Sequence, residues 1–230
     1  MLFRSNETFE HASGSRQRFG LPDDAFLLLF AGDLRTPRKN LGTVLRALKQ
    51  LPERVQVVVA GRVKGSPYPD EARALGVADR VHFLDFVEDV PGLMRCVDAY
   101  VFPSRYEAMS LSLLEAMAAS LPVVTARTAG GAEIITAECG IVLDDPDDSA
   151  ALARAVARLA GDVRLACSMG VAAGRVARDF GWSRMGTRYM DIYRRVLRAK
   201  ASEAGSGAGP GIHDARRGAR WVPSEGGESK

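Results

Sequence analysis

Two glutamates, Glu107 and Glu115, stand with seven residues between them in "PSRYEAMSLSLLEAM", Pro103 to Met117. Glu107 falls in a turn. Glu115 falls among Leu111, Leu113, Leu114, Ala116 and Met117, a helical run in which a carboxylate without a partner is costly to bury. A carboxylate only accepts hydrogen bonds, through two oxygens, so each glutamate suits a pair of neighbouring hydroxyls. Upstream, "GDLRTPRKN" carries Gly32, Arg35, Arg38 and Lys39, and the adjacent Arg38 and Lys39 are cations of the kind that clamp phosphate. The helix beginning near Ser110 offers free N–H groups and a positive dipole end, which together make an anion site. Gly130 and Gly131, in "RTAGGAE", let a backbone come close to a ligand. Two diol-binding acids flanking a phosphate site read jointly as nucleotide, diphosphate and sugar. Plainer readings stand beside this one. Glu107 also reads as a solvated loop acid, and Arg38 and Lys39 as a solvated helix start. His82, alternating with Val81 and Phe83, reads as structural.

These residues need a scaffold, and the apolar pattern supplies one. "AFLLLFAGD", "VQVVVAG", "RVHFLDFV", "DAYVFP", "LPVVTA" and "GIVL" are short continuous apolar runs bounded by Gly, Pro or Asp, as buried strands are. Between them lie helical spacings: "NLGTVLRALKQL" with Asn40 as its N-cap, "DEARALG", a turn at "VPGLMRC", "SLSLLEAMAAS" and "GGAEIITA". Strand and helix in alternation imply an α/β fold, a parallel sheet covered on both faces. Ligands of such sheets bind beyond the carboxyl ends of the strands, where all the candidate segments fall, including Phe86 and Val87 after the third strand. Two amphipathic helices follow from Asp148 to Phe180. A last one from Trp182 carries Met185, Tyr189, Ile192, Tyr193 and Val196 on one stripe. The expected organisation is a connector at 1–25, a domain at 26–180, a terminal helix at 181–200 and a disordered Gly/Ser-rich tail at 201–230.

Totals narrow the function further. The 230 residues carry a net charge of +3, with no basic run interleaved with aromatics, so nucleic acid is not an expected partner. Three cysteines without CxxC spacing, Cys96, Cys139 and Cys167, read as reduced thiols, and three scattered histidines make no metal cluster. The chain opens without a signal peptide and has no membrane-length apolar run, so a cytoplasmic location is expected, with a peripheral place at a membrane left open.

"FAGDLRTPRKNL", "RVHFLDFVEDVPGLMRCVDAYVFPSRYEAMSLSLLEAMAASLPVV" and "AGGAEII" together resemble the donor half of glycosyltransferase family 4, retaining enzymes with two Rossmann-like domains, the GT-B fold. The resemblance implies one Rossmann-like three-layer domain that binds a nucleotide diphosphate sugar and transfers a hexose to an acceptor hydroxyl with retention. It implies that Glu107 contacts the donor sugar and Glu115 the ribose. Met109, Ser110, Leu111 and Ser112 would offer backbone N–H groups to sugar and phosphate, Lys39 and Arg38 would hold the diphosphate, and the base would lie near Phe86 and Val87. It calls for no cofactor and no metal. The family has Arg where this chain has Asp33, with Arg35 or Arg38 as substitutes, and Gly where this chain has Ser110. The chain opens at what resembles the interdomain connector, so the acceptor domain is expected to be missing and transfer by this chain alone to be very slow. In the family the terminal helix crosses onto that domain; here its stripe invites self-association or a partner chain. The acceptor, whether glycan, lipid or small molecule, is left open. A non-catalytic binding module and one subunit of a split enzyme are the alternatives. A nucleotide-sugar epimerase on the same fold is another, and a glycoside hydrolase fits less well because it needs no phosphate cradle.

Overall fold

The computed structural model describes residues 16–205. His11, His213, the start of the expected connector and residues 206–230 lie outside the described residues.

The six apolar runs form six strands: β1 (Phe26–Ala31), β2 (Val55–Ala60), β3 (Val81–Phe83), β4 (Ala99–Phe102), β5 (Val123–Ala126) and β6 (Gly140–Leu143). All pair in parallel, in the order β3-β2-β1-β4-β5-β6. β1 and β4 are neighbours in space but not in sequence, so the connections leave the sheet in opposite directions from this point. Ligands of such sheets bind in the crevice at this point, beyond the carboxyl ends of the strands.

Alternate residues of each strand serve opposite faces. Leu28, Phe30, Val57, Val59 and Val101 pack under α1 (Leu41–Leu48), α2 (Tyr68–Ala74) and α5 (Ser149–Gly161). Leu27, Leu29, Val58, Tyr100 and Phe102 pack under α3 (Val90–Met94) and α4 (Leu111–Ala118), and α6 (Val163–Ala177) contributes to both cores. Burying each of these large side chains stabilises the fold by about 1.5–3 kcal/mol. Asp89, Ser110, Asp148 and Asp162 cap α3, α4, α5 and α6, each accepting a backbone N–H from the first turn.

Several expectations change. "GGAEIITA" forms a single 3-10 turn, Ala132–Ile134, in place of a helix. A short segment opening on two glycines, with Gly131 at φ 99°, cannot nucleate more. The third strand stops at Phe83, since Asp85 turns into the left-handed region at φ 56°. Asn40 precedes α1 but makes no side-chain cap, its own φ being 66°.

The connector is also not merely a connector. Arg16 is buried at 3% exposure. Its guanidinium donates to the carbonyls of Cys96 (2.8 Å) and Ala25 (2.8 Å) and pairs with Asp98 (2.8 Å), which also accepts the Leu27 N–H. Leu21 and Ala25 join the core. The domain therefore begins no later than Arg16, fastened across the amino ends of β1 and β4.

α7 (Trp182–Gly205) continues five residues into the segment expected to be disordered. Within it Met185, Tyr189, Ile192, Tyr193 and Val196 are exposed, and the Tyr189 and Tyr193 rings lie 6.3 Å apart. No helix among the described residues is long and apolar enough to cross a membrane. Cys96 and Cys139 are buried and Cys167 is half-buried.

Candidate functional site

The crevice between β1 and β4 brings Lys39, Arg38 and Glu107 together. Lys39 Nζ lies 2.7 Å from Glu107 Oε2, and Arg38 donates to the same oxygen at 3.2 Å. Partial burial, the largest single influence on Glu107, pushes its carboxyl upward; Lys39 and Arg38 outweigh it and hold the group below its ordinary value of 4.5. The stem of Lys39 lies across Gly32, where a β-carbon would meet it at 3.3 Å, and its ammonium sits 4.7 Å from the centre of the buried Phe102 ring. Gly32 is thus a shelf for Lys39, and Phe102 a cation–π partner.

The loop after β5 also holds Glu107 in place. The N–H of Gly130 donates to the Glu107 carbonyl at 2.9 Å, and Ser110 N–H donates back to the Gly130 carbonyl at 3.2 Å. A β-carbon on Gly130 would stand 1.0 Å from the Ala108 carbonyl oxygen, so the backbone that needs this glycine is the chain's own. Gly131 packs beside Leu113 and Met109. Ser104, fully buried, places Oγ 3.0 Å from both the Arg38 and Tyr106 carbonyls.

Ser110 has φ −83°, an ordinary value that asks for no glycine, and its Oγ caps the Leu113 N–H at 3.3 Å. The N–H groups of Leu111 and Ser112, in the first turn of α4, have no partner within the helix geometry itself. Ser112 Oγ accepts from the Tyr100 hydroxyl at 2.8 Å; burial pushes that phenol well up. Met109 and Leu111 are exposed.

Four expected residues stand apart from this cluster. Arg35 forks onto Asp33 at 2.9 and 3.0 Å, and its hydrogen bonds hold the Asp33 carboxyl down at about 2. Glu115 is exposed, not buried among leucines: it shares the outward stripe of α4 with Leu111 and Ala118, while Leu113, Ala116 and Met117 face the core. Phe86, 81% exposed, and Val87 follow β3, two strand spacings or about 10 Å from β1. His82 stays structural, its Nε2 2.6 Å from Gln56 Oε1.

The family model "Glycosyl transferases group 1" matches residues 25–162. The chain belongs to this family. It is 33% identical over 200 residues to a D-inositol 3-phosphate glycosyltransferase of Salinispora arenicola, covering 80% of this chain and 44% of that relative. The chain spans about half the length of the curated relatives it matches. Among solved structures it is similar to WaaG, a glycosyltransferase involved in lipopolysaccharide biosynthesis (TM-score 0.67, 29% identity, 75% of this chain and 48% of that one). It also shares the fold of Anabaena Alr3699/HepE, solved in complex with UDP (TM-score 0.73, 23% identity, 82% and 54%). The α/β domain with its six-stranded parallel sheet is accordingly one half of a GT-B fold.

In this member of the group 1 family, the sequence pointed to both cations and the acid that meet at the crevice. It missed the residues beneath them: Phe102, Ser104, Arg105, Asp147 and the bonding of Asn40. Asn40, next to Lys39, gave the one available signal, because a polar residue that fails as a cap must spend its amide elsewhere.

Proposed function

We propose that this chain is the donor-binding half of a retaining family 4 glycosyltransferase, which passes a hexose from a nucleotide diphosphate sugar to an acceptor hydroxyl. The observation that carries the reading is Glu107 held by Lys39 and Arg38 just before the amino end of α4, at the mouth of the β1–β4 crevice. The neighbour of similar fold that binds UDP, and is also known with UDP-glucose, supports it.

In this reading the diphosphate lies between the Lys39–Arg38 pair and the Leu111 and Ser112 N–H groups. Glu107 accepts from hydroxyls of the sugar, and Glu115 accepts from the ribose. The base lies toward Phe86 and Val87. Met109, Ser110, Gly130, Gly131 and Gly32 shape the backbone around the ligand, and Arg35 joins only if it leaves Asp33. Transfer breaks the bond from the anomeric carbon to the diphosphate oxygen and forms one to the acceptor oxygen on the same face, while the acceptor hydroxyl's proton passes to the departing diphosphate. Negative charge collects on the departing diphosphate, and the two cations and the helix end offset it. The reading asks for no metal ion, because those cations do its work.

Calorimetric titration with UDP-, GDP- and ADP-sugars, followed by assays for hydrolysis and transfer, tests this. Binding of one nucleotide series that weakens in Lys39→Ala is expected; binding of none would remove the reading.

A further inference from the structure

Three loops that are remote in sequence are tied together directly beneath the Lys39–Glu107 pair. Asn40, 2% exposed and left-handed, follows Lys39. Its Nδ2 reaches the Pro103 carbonyl at 3.1 Å in the loop after β4. In the loop between β6 and α5 it reaches the Pro146 carbonyl at 2.7 Å and Asp147 Oδ1 at 3.2 Å. Its Oδ1 accepts from Thr43 Oγ1 at 2.9 Å, which fixes the orientation of the amide. Arg105 grips the other side of the same turn. Its N–H donates to the Arg38 carbonyl at 2.8 Å and its guanidinium to the Pro37 carbonyl at 2.6 Å, while Nε and Nη2 fork onto Asp147. The turn Pro37–Lys39 is thus held at both ends, and Asp147 is the post to which both holders are tied.

We infer that Asn40 and the Arg105–Asp147 pair are positioning residues that set the Arg38–Lys39 turn against Glu107, which makes the loop between β6 and α5 a working part of the diphosphate site. This rests on the donor-site reading above. Long cationic side chains have many rotamers, so the place where their charge sits depends on the backbone beneath them. The bond pattern fits that task better than general support of the fold. Arg105 and Asp147 are 41% and 47% exposed, and an exposed ion pair adds little to stability. Yet its donors and acceptors all converge on the one turn that carries both cations.

Asn40→Gly keeps the left-handed backbone and removes the amide; Asp147→Ala removes the post. Arg16→Met, at the opposite edge of the sheet, is the control for lost stability alone. Two readouts are taken on the whole chain: the Glu107 carboxyl titration by carbon NMR without ligand, and UDP affinity by calorimetry. Both site variants should move the Glu107 midpoint up toward 4.5 and weaken UDP about tenfold, the low end of one charged hydrogen bond. Asp147→Ala should melt close to the parent. Arg16→Met should melt earlier with both readouts unmoved. An unshifted Glu107 midpoint in Asp147→Ala overturns the inference, and this variant decides alone if Asn40→Gly fails to fold. If the parent does not bind UDP, the donor reading fails, while the titration still decides the positioning.

Discussion

Arg16→Met should cost this protein a large part of its stability while sparing the site. Methionine keeps the length and apolar stem of the arginine but none of its donors. The Cys96 and Ala25 carbonyls lose buried partners at 2.8 Å each, and a buried acceptor left without one costs about 1–3 kcal/mol. Asp98 loses its guanidinium but keeps the Leu27 N–H at 2.7 Å and is 15% exposed, so its share falls short of a fully stranded charge. The sum is about 3–5 kcal/mol, the usual result of breaking a buried pair from one side. At about 2–4 °C per kcal/mol for a domain of this size, the melting temperature should fall by roughly 6–20 °C. Urea titration followed by far-ultraviolet circular dichroism gives the free energy, and scanning calorimetry the temperature. Arg16→Lys, able to reach only part of the acceptor set, should fall between. A midpoint within 2 °C of the parent's, on the order of the shift that ~1 kcal/mol produces, would show that the connector is not clasped in solution and that the reasoning fails.

The site supports three further predictions. Glu107 has a depressed folded-state pKa, so its contribution is full above its ordinary value of 4.5 and is lost as pH falls through the folded value. Stability measured by urea titration below that pH should therefore decline less steeply in Glu107→Gln than in the parent. Lys39→Ala should weaken UDP about 10- to 150-fold, the value of one charged hydrogen bond, whereas Glu107→Ala should weaken a UDP-sugar and leave UDP itself nearly unchanged by calorimetry. Gly130→Ala places a β-carbon against the Ala108 carbonyl and must part the loop that carries Glu107, so a loss of about 1–3 kcal/mol or more in urea unfolding is expected, with weaker UDP-sugar binding.

The sheet was legible because buried parallel strands are uninterrupted apolar runs, and Gly, Pro and Asp mark their ends. The cluster of Lys39, Arg38 and Glu107 was legible because strand ends collect ligand-binding loops. What stayed hidden depends on side-chain direction. Arg16 looks like any connector arginine until its burial is known. Glu115 was misjudged by counting apolar neighbours along the chain; counted by helical spacing, it falls with Leu111 and Ala118 on the stripe that the core does not need. The bonds of Asn40 and Asp147 join segments whose proximity only the strand order reveals.

That strand order has a bearing on how the protein comes into being. Lys39 and Glu107 are 68 residues apart along the chain, and Asn40 and Pro146 are 106 apart. β1 pairs with β2, its successor in sequence, but its other edge waits for β4, and the brace waits for β6. Contacts this non-local are slow to form, because long loops must close before any contact rewards them. A chain still emerging from the ribosome therefore carries Arg38 and Lys39 long before anything orders them. On the donor-binding reading, affinity is expected only once the last third of the domain is in place. A donor bound there at a hundredfold excess over its dissociation constant would then hold the finished fold together by about 2.7 kcal/mol.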